Sequence, residues 1–171
     1  MELALSGGRL GYWDWNVRDD SLQVSDRWLE MLGFDPATTQ GTMDLWRSLV
    51  HAQDVPLLQE IIATVLNAPD GTTFEVTVRA RHAQGHYIWI LDKGAVFERL
   101  PDGKPLRVVG THMDISVQKE AELQIAAGVR ALESSQLQLQ ALSRRILSAQ
   151  ETERRRVALE LHDDLGQALT A

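Results

Sequence analysis

The composition of the chain breaks at residue 117, and no other feature constrains its fold as much. All ten aromatic residues lie before position 98 and all five prolines before position 106. From Val117 to Ala171 there is neither an aromatic residue nor a proline, and Ala, Leu, Gln, Glu, Arg and Ser dominate. A stretch rich in good helix formers and lacking large core-filling rings reads as one long helix. The aromatic, turn-rich first part must then supply the globular core.

The rest of the composition excludes several classes. At 171 residues and 44% apolar, the chain is large enough for one domain with a true core plus an appendage. It has no cysteine, which removes disulfides, Cys-based zinc sites and thiol-adduct flavin chemistry. A net charge of −7 argues against nucleic acid as a partner, since that binding normally uses a basic surface. No apolar run approaches the roughly eighteen residues of a membrane span, and no signal peptide is visible. The expectation is a soluble, cytoplasmic chain, with a membrane anchor upstream in a parent protein left open.

Taken in order, Leu3 and Leu5 can form one turn of a lead-in helix. Leu10–Val17 alternates, with Trp13, Trp15 and Val17 on one face and Tyr12, Asp14 and Asn16 on the other, as in a half-buried strand. Arg18–Ser21 turns into a short strand, Leu22–Val24. Ser25 or Asp26 caps a helix through Leu32 that Gly33 closes as a left-handed residue. Short and longer helices follow over 44–50 and 54–67. Phe74, Val76, Val78 and Ala80 alternate with Glu75, Thr77, Arg79 and Arg81, and turns at Gln84-Gly85 and 101–105 lead into strands over 86–98 and 106–115. Two strands, several short helices and three hairpin-connected strands predict an α+β fold, a five-stranded antiparallel sheet with helices on one face.

Several segments of this first part, GYWDWNV, SDRWLEMLGF, Trp46 ahead of LVHAQD, VTVRARHAQGHYIWILDKG and DGKPLRVVGTHMDIS, resemble the PAS sensor domain. The resemblance runs over about residues 5–116 and places the sensor domain at 1–116. Asp114-Ile115-Ser116 is similar to the Asp-Ile-Thr ending through which such domains signal to the following helix. Ala52-Gln53 departs from the Pro-Asp often found after the histidine in relatives.

In the rod, Ile125, Leu132, Leu139 and Ile146 are spaced by sevens, and Leu142 and Ala149 form a second series. That is a heptad seam, and it predicts a parallel dimeric coiled coil over 117–147, hence a homodimer. Gly128 and Ser135 fill the companion positions poorly. The step from Ile146 to Val157 is eleven residues, which shifts the phase of the seam. A bistable signalling rod and a static spacer both fit these facts.

The last helix, 148–171, carries His162. Val157, Leu161, Leu165 and Leu169 form one apolar stripe, and His162 lies about 100° around from Leu161 at its edge. Asp163 and Gln167 share a face four residues apart, beside Gly166. A neutral imidazole can attack the γ-phosphorus of ATP, a neighbouring carboxylate can take the ring proton, and an amide can orient a water. On spacing alone, an exposed histidine on a solvated helix face is the better explanation of these residues.

The run from Gln150 to Gln167, with its ER-R-x-A-x-E-L-H-D-x-x-G-Q pattern, resembles the phosphoacceptor helix of sensor histidine kinases of the nitrate-sensor type. The resemblance implies that His162 is the phosphorylation site, Asp163 its general base, and Gln167 part of the pair supporting phosphatase action. It implies ATP and magnesium for the kinase domain and a response regulator receiver domain as partner. The sequence stops nine residues past His162 and shows no nucleotide-binding segment, so the expectation is that this chain alone does not phosphorylate itself.

The signal is open. His51, His82, His86 and His112 remain, and none lies on the helix over 54–67, where a haem ligand of a PAS domain is expected. His112 either lines a pocket or is a satisfied sheet histidine. The five tryptophans either build an aromatic pocket or pack the core. A small apolar or aromatic ligand in the PAS pocket and no ligand at all are both left standing; the second makes the domain a dimerisation and protein-interaction module.

Overall fold

The computed structural model describes the backbone of residues 10–69 and 71–170, and side chains as far as residue 158. The lead-in helix expected at Leu3 and Leu5 lies outside the described residues. The elements are β1 (Leu10–Asn16), β2 (Ser21–Val24), α1 (Asp26–Met31), α2 (Met43–Leu49), α3 (Val55–Asn67), β3 (Thr73–Arg81), β4 (Tyr87–Arg99), β5 (Pro105–Asp114) and α4 (Ser116–Thr170).

The five strands form one antiparallel sheet in the order β2-β1-β5-β4-β3. Side chains alternate across its faces, so the inward residues Phe74, Val76, Val78 and Ala80 of β3 and Ile88 and Ile90 of β4 are buried. The short helices cover this face with Trp28, Leu29 and Met31 from α1, Met43, Trp46 and Leu49 from α2, and Leu58 and Val65 from α3.

The helix ends follow local chemistry, with two departures. Gly33 closes α1 at φ +80°, a conformation that costs a residue with a Cβ. The Thr42 hydroxyl caps α2 by accepting the Leu45 N–H at 3.1 Å. Ser25 occupies the N-cap position of α1, but its hydroxyl accepts the Tyr12 N–H at 3.0 Å and so ties the helix start to β1. Asp54, at the N-cap of α3, likewise turns away from the helix. Its carboxylate takes the Arg79 backbone N–H and guanidinium at 2.7–2.9 Å, pinning α3 to β3. Both carboxylate oxygens thus hold the guanidinium, in a charge-assisted bidentate pair.

Among the described residues, the outer face of the sheet buries one polar group, Asp14, which is paired with Arg107 and accepts the Tyr12 hydroxyl at 3.1 Å. Burial, followed by that hydrogen bond, raises the Tyr12 pKa.

At the end of β5, Ile115 N–H donates to the Trp89 carbonyl at 2.8 Å, and the Ser116 hydroxyl accepts the Trp89 N–H at 2.9 Å. Asp114 accepts the Ser116 N–H at 2.8 Å. The start of α4 is thus stapled to β4. The chain divides into two compact units at Glu120/Ala121. In the second, Ile125, Leu132, Leu139 and Ile146 are between 50% and 71% exposed and form an apolar stripe. Among the described residues, no helix is long and apolar enough to cross a membrane.

Candidate functional site

The site grows from two adjacent rows of residues running across the sheet. Strand register places Gly11, His112, Asp92 and Val76 side by side, and Trp13, Gly110, Gly94 and Phe74 in the next row. The glycines are space for the large side chains. A Cβ on Gly110 would lie 2.3 Å from Trp13 Cζ2, and one on Gly94 would lie 2.6 Å from the Phe74 ring. Gly11 has the same role toward helix α1, where a Cβ would come within 2.7 Å of the Trp28 Cα.

Bare backbone at these points lets the Trp13 indole lie across the sheet and donate from Nε1 to Asp92 Oδ1 at 3.1 Å. His112 Nε2 lies 3.2 Å from the same oxygen, and Trp28 Nε1 donates to His112 Nδ1 at 2.8 Å. Indole N–H groups only donate, so Nδ1 must offer a lone pair and the ring carries its one hydrogen on Nε2. The result is a buried relay, Trp28 to His112 to Asp92, joined at the carboxylate by Trp13. Asp92 and His112 are 3% and 2% exposed. The Trp46 ring completes the enclosure, with its centroid 4.4 Å from that of His112.

These groups line a cavity of about 40 Å³ between sheet and helices, together with Phe74, Met43, Ile62 and Val108. An apolar groove of about 370 Å³ adjoins it between α2 and α3. Trp15, Met43, Trp46, Ile62 and Leu66 line both spaces. At the rim, Arg47 grips Asp20 with bonds of 2.6 and 3.0 Å, and Trp15 Nε1 donates to Asp20 at 2.9 Å. The Arg47 bond holds the Asp20 carboxyl below its usual pKa.

His112 combines both expectations, since it lines the cavity and is satisfied at both nitrogens. Of the tryptophans, Trp13, Trp15, Trp28 and Trp46 line the cavity, whereas Trp89 lies under the Arg79 guanidinium at 5.5 Å. His51 packs edge-on against Tyr87, and His82 stacks on His86 at 4.5 Å in the β3–β4 turn. Among the described residues, no three His, Asp or Glu side chains come together as metal ligands. Asp92 escaped the sequence reading. Its signal was an acidic residue at an inward position of β4, in phase with Ile88 and Ile90. The backbone of α4 runs through His162, Asp163 and Gln167, but their side chains lie outside the described residues.

A model of the PAS-fold family matches residues 21–112, more than half of the chain. No curated protein matches it significantly. Among solved structures, a sensory box histidine kinase/response regulator from Burkholderia thailandensis aligns with a TM-score of 0.67 at 24% identity, over 77% of this chain and 96% of its own. The N-terminal domain of a diguanylate cyclase with PAS/PAC sensor from Marinobacter aquaeolei aligns at 0.55 and 22%, over 64% and 98%. An RNA-binding light-oxygen-voltage receptor aligns at 0.56 and 20%, over 74% of this chain and 34% of its own. At these identities the likeness is one of fold, and the three proteins differ in output. The sheet order, the helices on one face and the family match agree, and this chain belongs to the PAS-fold family.

Proposed function

We propose that this chain is the sensory and dimerisation region of a two-component sensor histidine kinase of the nitrate-sensor type. The PAS domain receives a signal and passes it through a parallel dimeric coiled coil to His162, which is phosphorylated from ATP and donates to a response regulator. Asp163 acts as general base and Gln167 in the reverse, phosphatase direction. ATP and magnesium belong to the kinase domain of the parent protein.

The observation that carries this reading is the start of α4. It follows β5 with one intervening residue, is stapled to Trp89, and runs unbroken through the segment that resembles a phosphoacceptor helix. The exposed seam from Ile125 to Ile146 supports pairing with a second copy, since apolar residues at heptad spacing are buried by a partner helix. A PAS interaction module without a ligand is supported less well, because the core keeps a cavity beside a buried carboxylate.

The test is phosphotransfer. Incubated with radiolabelled ATP, magnesium and a kinase ATP-binding domain supplied separately, the wild-type chain should take up label and His162→Ala should not. Equal labelling of the two would sink the assignment.

A further inference from the structure

We propose that the cavity beside Asp92 receives the head of a small organic cation, a protonated amine whose apolar body lies in the groove between α2 and α3. The inference deepens the sensor reading, on which it rests, by naming the chemistry of the signal.

The starting point is a carboxylate without a counter-charge. The Asp92 side chain is 5% exposed, and its only ion-pair partner among the described residues is His112. The bond from Trp28 occupies the Nδ1 lone pair, so His112 offers Asp92 an N–H donor from Nε2. Oδ1 takes both hydrogen bonds, from Trp13 and from His112, and Oδ2 receives none from any described residue. Among the described residues no buried side-chain oxygen or nitrogen lacks a partner, so the unbonded Oδ2 opens onto the cavity that Asp92 lines, where an ammonium group can donate to it.

The walls suit a cation. Trp13, Trp28, Trp46 and Phe74 line the cavity, and aromatic rings attract ammonium groups most strongly where water is excluded. The dimensions divide the ligand. About 40 Å³ holds a group of a few heavy atoms, whereas the adjoining 370 Å³ is lined by Met43, Val55, Leu58, Ile62 and Leu66 and suits an alkyl or aryl body. Anionic heads are disfavoured, because they would meet the Asp92 carboxylate at short range.

Isothermal titration of the whole chain at about pH 7 with n-hexylamine, 1-hexanol and hexanoate separates charge from shape, since the amine is protonated there. The amine should bind at least about tenfold more tightly than the alcohol, with the carboxylate weakest. Its titration should shift the indole N–H resonance of Trp13, which shares the carboxylate. Asp92→Asn should bring amine and alcohol to within about twofold of one another. Equal or tighter binding of the alcohol overturns the proposal, as does absence of amine binding up to about 10 mM. If Asp92→Asn fails to fold, the wild-type comparison still decides. Neither failure alters labelling of His162, so the two readings stand or fall separately.

Discussion

Replacing Trp28 by Phe removes one donor from the buried relay while keeping an aromatic ring in place. Trp28 is wholly buried, and its N–H is the partner of His112 Nδ1 at 2.8 Å. Without it the imidazole keeps an unsatisfied acceptor out of reach of bulk water, a cost of about 1–3 kcal/mol. The smaller ring also leaves a gap in a packed core, worth roughly another 1–2 kcal/mol. A combined loss of about 3 kcal/mol is a large share of a domain's total stability and lowers Tm by roughly 12–24 °C. Near-UV circular dichroism is the suitable probe, because every aromatic residue belongs to the globular part and the signal is blind to α4. The hydrogen-bond share follows from a double-mutant cycle with His112→Leu, in which the combined cost should fall short of the sum by about 1 kcal/mol or more. Additivity within about 0.5 kcal/mol would show that the bond does not carry the energy assigned to it.

Two glycines should respond in opposite directions. Gly110→Ala places a Cβ 2.2 Å from the Lys93 carbonyl oxygen and 2.3 Å from Trp13, and should cost about 3 kcal/mol or more in urea denaturation. Gly128→Ala meets nothing within 4 Å and should raise the far-UV helical signal, stabilising the helix by about 1 kcal/mol. Stability should also depend on pH through His82. Burial, and then the neighbouring His86, lower the His82 pKa, with Asp114 opposing them. The unfolded chain therefore binds a proton at higher pH than the folded one. Stability is fully present above the unfolded value of about 6.5 and is lost as pH falls toward the folded pKa. Denaturation midpoints of wild type against His82→Gln should converge or cross as pH falls from about 7 to 5.5, and parallel curves would refute the assignment.

Much of the fold was legible because its causes are local. Alternation in Phe74–Ala80 marked a strand with one buried face, and Gly33 marked the end of α1 because the left-handed backbone there favours a residue without a Cβ. Side-chain choices between competing partners were less legible. Ser25 and Asp54 both occupy helix N-cap positions, yet their oxygens serve Tyr12 and Arg79, which folding brings to them from 13 and 25 positions away.

The sequence by itself determined where the aromatic core ends and the long helix begins, since the absence of proline and rings after residue 117 leaves no other economical structure. It also determined which strand residues face inward. Only the tertiary structure decided what those inward residues become. Trp13 and Asp92 are 79 positions apart and Trp28 and His112 are 84 apart. They meet because β4 and β5 pair in a register that sets Asp92 opposite His112, and because Gly94 and Gly110 leave room for the indole. A one-residue slip in that register would turn the pair to the other face of the sheet, so the site is a property of the pairing and not of any local stretch.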